Sequence, residues 1–96
     1  MASREELLQK LRLIKPALLQ KYPISRLAIF GSYGRGDFSD HSDLDILVEL
    51  QGGMGIGYIS LALELESALG IKVDLVSKNG LKPKYLQAIE QDLTYV

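Results

Sequence analysis

Ten residues separate Gly31-Ser32 from Asp43-Leu44-Asp45, and an apolar run lies on the outer side of each pair. Arg26 to Phe30 (R-L-A-I-F) leads into the glycine, and Leu44 to Leu50 (L-D-I-L-V-E-L) carries the second carboxylate. Both runs read as β-strands, and the glycine-rich, polar stretch between them reads as a turn. A strand alternates its facing every two residues, so Asp43 and Asp45 point to one side. Carboxylates are disfavoured in strands, and two on one face repel unless a cation lies between them. The bland alternative is the solvated edge of a half-exposed strand. The nearby glycine turn and hydroxyl favour a hard divalent cation that works on phosphates. Mg²⁺ takes oxygen ligands and is usually held by one or two carboxylates together with substrate phosphates.

The remaining sequence fits a small domain around these two strands. Ser3 to Glu6 (S-R-E-E) has the pattern of a capping box, and Leu7, Leu11, Ile14 and Leu18 follow at helical spacing. Pro16 predicts a kink or break between Leu13 and Ala17, and Tyr22-Pro23 ends the segment. Along Leu44 to Leu50, the even-numbered apolar residues face a core, while Asp43, Asp45, Leu47 and Glu49 face away. Gln51 to Gly57 (Q-G-G-M-G-I-G) lacks dinucleotide-loop spacing and reads as a linker or lid. Tyr58 to Leu69 is helical, with Gly70 as its stop. Ile71 to Val76 (I-K-V-D-L-V) reads as a third strand, with Lys72, Asp74 and Val76 on its second face. Pro83 opens a last helix whose stripe is Leu86, Ile89 and Leu93, and Thr94 to Val96 is a short extended end.

At 96 residues the chain is expected to form one domain, residues 1–96. The net charge of −1 offers no basic surplus for a nucleic-acid backbone, so no direct nucleic-acid binding is expected. Without cysteine there is neither a disulfide framework nor a thiolate metal site, which fits a cytoplasmic location. No apolar stretch is long enough to cross a bilayer, and the polar N-terminus (M-A-S-R-E-E) does not read as a signal peptide.

Gly31-Ser32, ten residues, then Asp43-x-Asp45 resembles the signature of the polymerase-β-like nucleotidyltransferases. The short chain and the F-G-S-x-x-x-G context look like the minimal nucleotidyltransferase (MNT) branch. Many members of that branch are the antitoxin half of HEPN–MNT toxin–antitoxin pairs. The resemblance runs from about Tyr22 to Val76, with a similar tail beyond. It implies an α/β (α+β) fold, a small mixed β-sheet packed with helices. It also implies a third carboxylate from a neighbouring strand, a role that falls to Asp74. Asp43, Asp45 and Asp74 would then be both catalytic and metal-binding, holding two Mg²⁺ ions, with ATP as substrate.

The resemblance further implies that Gly31 and Ser32 meet the β- and γ-phosphates through backbone amides and a hydroxyl; Ser32 also suits a helix cap. Arg35 is a candidate for neutralising triphosphate charge, or is simply a surface arginine. Many relatives carry an arginine directly after Gly-Ser, where this chain has Tyr33, read here as an exposed loop tyrosine. Lys78 is a weaker phosphate candidate, and His41 is assigned no role. The implied reaction is transfer of AMP from ATP to a tyrosine hydroxyl of a HEPN toxin. A binding-only antitoxin and an aminoglycoside-type small-molecule transferase are the alternatives. Larger relatives append a helical domain that grips the acceptor. Here the acceptor is expected as a separate macromolecule, and exposed apolar stripes make a homo-oligomer or hetero-complex an expectation too.

Overall fold

The computed structural model describes residues 3–52 and 57–96. Its elements run in chain order as α1 (Arg4–Lys21), β1 (Ile24–Phe30), α2 (Gly31–Arg35), β2 (Leu44–Leu50), α3 (Gly57–Leu69), β3 (Val73–Ser77), a 3₁₀ turn (Lys78–Gly80), α4 (Pro83–Glu90) and β4 (Thr94–Tyr95). The expected lid partly lies outside the described residues, at 53–56; Gly57 already belongs to α3.

Serine caps α1: the Glu6 amide donates to Ser3 Oγ at 3.1 Å. The break expected at Pro16 does not occur, because α1 continues through it to Lys21. A proline inside a helix removes one amide donor. Leu7, Leu8 and Leu11 on one side of it and Leu18 on the other are all buried, so core packing holds the helix on both sides of the proline. Leu61, Leu65 and Leu69 of α3 join them over the sheet. Gly70 ends α3 with a φ of 68°, a conformation costly for any residue with a Cβ.

The four strands lie in the order β3-β2-β1-β4. β1 pairs antiparallel with β2, and β4 pairs antiparallel with β1 through Ala28↔Tyr95 and Ile29↔Thr94. The extended end is therefore a paired edge strand. β2 and β3 are parallel, joined by α3, as parallel neighbours require. The sheet's first face carries Leu27, Ile29, Leu44, Ile46 and Val48, all buried in the core with α1 and α3.

Its second face carries Asp45, Leu47 and Glu49. Leu47 is only 1 % exposed there, so this face is covered at its middle and not simply solvated. Its strand neighbours on that face are the buried Ala28 of β1 and the half-buried Val76 of β3. Leu86 and Ile89 of α4 and Leu93 after it are half-buried. Leu93 lies beyond the end of α4, which stops at Glu90, so the stripe expected on one helix extends into the following turn. Pro83 takes the first turn of α4, where its missing N–H costs nothing.

Candidate active site

The strand register brings the acidic residues together. Asp45 sits opposite Phe30 of β1 on one side and opposite Asp74 of β3 on the other. Asp43 lies just before β2, two residues from Asp45 and thus toward the same side. Asp74 is exposed, Asp43 is exposed and Asp45 is half-buried between them. The Asp45 carboxyl is pushed up to about 6, first by burial, then by the negative charges of Asp74 and Asp43 and a hydrogen bond with Asp74; Arg35 weakly opposes this. Among the described residues, no Lys or Arg forms an ion pair with any of the three. Among the described residues neither Lys72 nor Lys78 pairs with Asp74; Lys78 Nζ lies 3.5 Å from Glu49 Oε1.

Gly31 follows Phe30 directly, so it meets the same carboxylate. Its φ is 67°, and a Cβ placed on it would overlap Asp45 Oδ2. Only glycine lets the backbone pass this close to a carboxylate at that φ. Gly31 also begins α2, whose N-terminal flanking residue, Phe30, makes no side-chain cap. Ser32 therefore lies inside the helix and not at its cap, and among the described residues its hydroxyl makes no hydrogen bond.

Other side chains hold α2 in place. Tyr33 is 1 % exposed, not the exposed loop tyrosine expected, because the single turn of α2 swings it into the core. There it stacks on Phe38 with ring centroids 4.2 Å apart and planes 11° from parallel. Arg4 Nε donates to the Tyr33 carbonyl at 2.8 Å, and Arg4 Nη2 donates to Thr94 Oγ1 at 3.0 Å. A Cβ on Gly34 would overlap the Asp92 carbonyl oxygen, so α2 packs directly on the turn before β4. Arg35 is engaged already: Nε lies 3.1 Å from Asp37 and Nη1 lies 3.1 Å from Asp92. His41 is exposed and uses only its amide, which donates to Ser39 Oγ.

An acidic, all-oxygen donor set with no cationic side chain to neutralise it suits a hard divalent ion. The glycine cradle beside Asp45 keeps that space clear of a side chain. Among the described residues, however, no three His, Cys, Asp or Glu side chains close into a metal cluster by themselves. Mg²⁺ sites of this kind are normally completed by substrate phosphates.

Known proteins share the family and the fold. Residues 11–96 match the family model described as nucleotidyltransferase domain. Protein adenylyltransferase MntA of Thermococcus cleftensis is 34 % identical, over 100 % of this chain and 98 % of its own. A solved structure provisionally described as a minimal nucleotidyltransferase superposes with a TM-score of 0.83 at 30 % identity, covering 97 % of this chain and 95 % of the other. A toxin–antitoxin crystal structure with AMP-PNP superposes with a TM-score of 0.73 at 29 % identity, covering 90 % of this chain and 70 % of the other.

Proposed function

We propose, from the premise that this chain belongs to the nucleotidyltransferase domain family, that it transfers AMP from ATP to a tyrosine hydroxyl of a partner HEPN toxin and so acts as an antitoxin. The observation that carries the reading is the register Asp45↔Asp74, which sets two carboxylates side by side, with Asp43 next to them and Gly31 pressed against Asp45. Similarity to a protein named an adenylyltransferase and to a toxin–antitoxin structure with AMP-PNP supports the donor and the partner class. A related solved complex contains a tri-AMPylated HEPN toxin of Shewanella oneidensis with an MNT antitoxin, at 25 % identity to this chain.

Asp43, Asp45 and Asp74 would hold the Mg²⁺, in the two-ion arrangement proposed here. When bound, the ions neutralise triphosphate charge and make the attacking hydroxyl more acidic. Gly31 presents backbone to the β- and γ-phosphates, and the uncommitted Ser32 hydroxyl donates to them. The acceptor oxygen bonds to the α-phosphorus as the bond to the departing pyrophosphate breaks. Asp74 takes the proton that the hydroxyl gives up. Positioning and electrostatic stabilisation account for most of the acceleration in such a transfer. Arg35 would have to leave Asp37 and Asp92 to reach a phosphate, so it is the least committed member of the set.

The test incubates the protein with radiolabelled ATP, Mg²⁺ and a candidate HEPN toxin. Label should appear on the toxin and disappear when its acceptor tyrosine becomes phenylalanine. Label transfer that survives Asp43→Asn together with Asp45→Asn would sink the reading. Toxin neutralisation by that inactive double variant would instead support inhibition by binding alone.

A further inference from the structure

β3 is an edge strand, yet it carries Asp74 at its second position. One side of it is bonded to β2. The Leu44 amide donates to the Lys72 carbonyl at 2.9 Å, so even-numbered residues here turn their backbone groups toward β2. Strand alternation then aims the N–H and C=O of Val73 and Leu75 at the open edge. Those two residues flank Asp74, and α3 holds both. Glu66 Oε2 accepts from the Val73 amide at 2.9 Å, and the Tyr58 hydroxyl donates to the Leu75 carbonyl.

Tyr58 and Glu66 are eight residues apart on α3, about 12 Å along its axis, so one helix grips the strand from both sides of the carboxylate. Both side chains are half-buried, and Tyr58 also packs against the core. Burial and the charge of Asp74 raise the Tyr58 hydroxyl above its ordinary range, so it keeps its proton and remains a donor. An unclipped edge strand opens locally far more readily than a paired one. Asp74 also faces repulsion from Asp45, which works to push β3 outward.

We infer that Tyr58 and Glu66 are positioning residues for Asp74, clipping the open edge of β3 at Val73 and Leu75 so that the carboxylate stays in register with Asp45. This rests on the reading of Asp74 as part of the transfer site. Tyr58→Phe removes one hydroxyl and leaves the packing ring. Glu66→Ala removes the second clip, and Glu66→Gln restores an acceptor oxygen of the same reach.

The experiment measures AMP transfer to the partner toxin, with kcat and KM for ATP separated, alongside amide hydrogen exchange and thermal melting. Tyr58→Phe and Glu66→Ala should each lower kcat by about tenfold, the scale of a small misplacement at a reacting centre. KM for ATP should stay within about twofold, because Gly31 and Ser32 are untouched. Exchange at Ile46, Asp74 and Val76, whose amides lie between β2 and β3, should quicken while Leu47, paired with β1, stays protected. Glu66→Gln should recover most of the wild-type kcat. A lower melting temperature with unchanged kcat well below it would overturn the inference and leave only a structural clip. If wild type transfers nothing, the functional reading fails separately. The exchange result then still decides, since an Asp74 amide as protected in Tyr58→Phe as in wild type rules the clip out.

Discussion

β2 carries two acidic side chains on one face, Asp45 near its start and Glu49 near its end, and the protein treats them in opposite ways. Glu49 is surrounded by donors. Tyr95 donates its hydroxyl to Oε2 at 3.0 Å, Arg26 Nη1 lies 3.8 Å from the same oxygen, and Lys78 Nζ lies 3.5 Å from Oε1. The Arg26 guanidinium also sits 3.8 Å from the Tyr95 ring centroid. Asp45 has two further carboxylates for neighbours and is pushed up to about 6. Glu49 is neutralised within the fold, and Asp45 is left with excess negative charge. That contrast separates a structural carboxylate from one that the proposed function assigns to a cation, although the strand and the facing are the same.

The largest expected effect comes from removing charge at the unneutralised end. Asp43→Asn or Asp45→Asn should lower AMP transfer by roughly 1000-fold or more, measured by label incorporation into the toxin. Asp74→Asn should lower transfer by about 100-fold and yet stabilise the apo protein. The sign follows from the raised Asp45 value. A carboxyl held above its ordinary range contributes stability below that range and loses it as pH rises through about 6. Above pH 6, removing the Asp74 charge relieves Asp45, and the melting temperature should rise by several degrees, the response to about 1 kcal/mol in a domain this size. Toward pH 5 Asp45 takes up its proton and the advantage should fade. An Asp74→Asn protein no more stable than wild type at pH 8 would show that the carboxylates do not strain one another.

Gly31→Ala tests the same end from the backbone side. The added methyl meets Asp45 Oδ2 at a φ of 67°, so about 1–3 kcal/mol should be lost in chemical denaturation. Transfer should fall with it. The smallest effect belongs to the neutralised end. Glu49→Gln should cost about 0.5 kcal/mol, because its cationic partners are substantially exposed, and should leave transfer within about twofold of wild type. A large loss of transfer in Glu49→Gln would erase the distinction between the two ends.

Much of the acidic end was readable in the chain itself. Asp43-x-Asp45 shows its common facing through the strand period, and Asp74 stands out because an acid interrupts an apolar run. Gly31 was legible as part of a turn, but its contact with Asp45 depends on pairing across β1 and β2. Other features rest on distant contacts that no local pattern reports. Tyr33 is surrounded by glycine and arginine, and only the single turn of α2 carries it inward to Phe38. Arg35 finds Asp92 from 57 residues away. Two residues of β4 are too few to show a period, so their pairing with β1 leaves no trace in sequence. Pro16 pointed to a break that burial on both of its sides prevents.

The parallel union of β2 with β3 has one more consequence. A tight hairpin cannot make it, so Asp74 reaches its place only after the whole of α3 has crossed the sheet. A nascent chain that has closed β1 on β2 already owns Asp43, Asp45 and the glycine beside them, but it is still unarmed. On the proposed function, transfer therefore requires the α3 crossover to be complete, because only that connection delivers the third carboxylate.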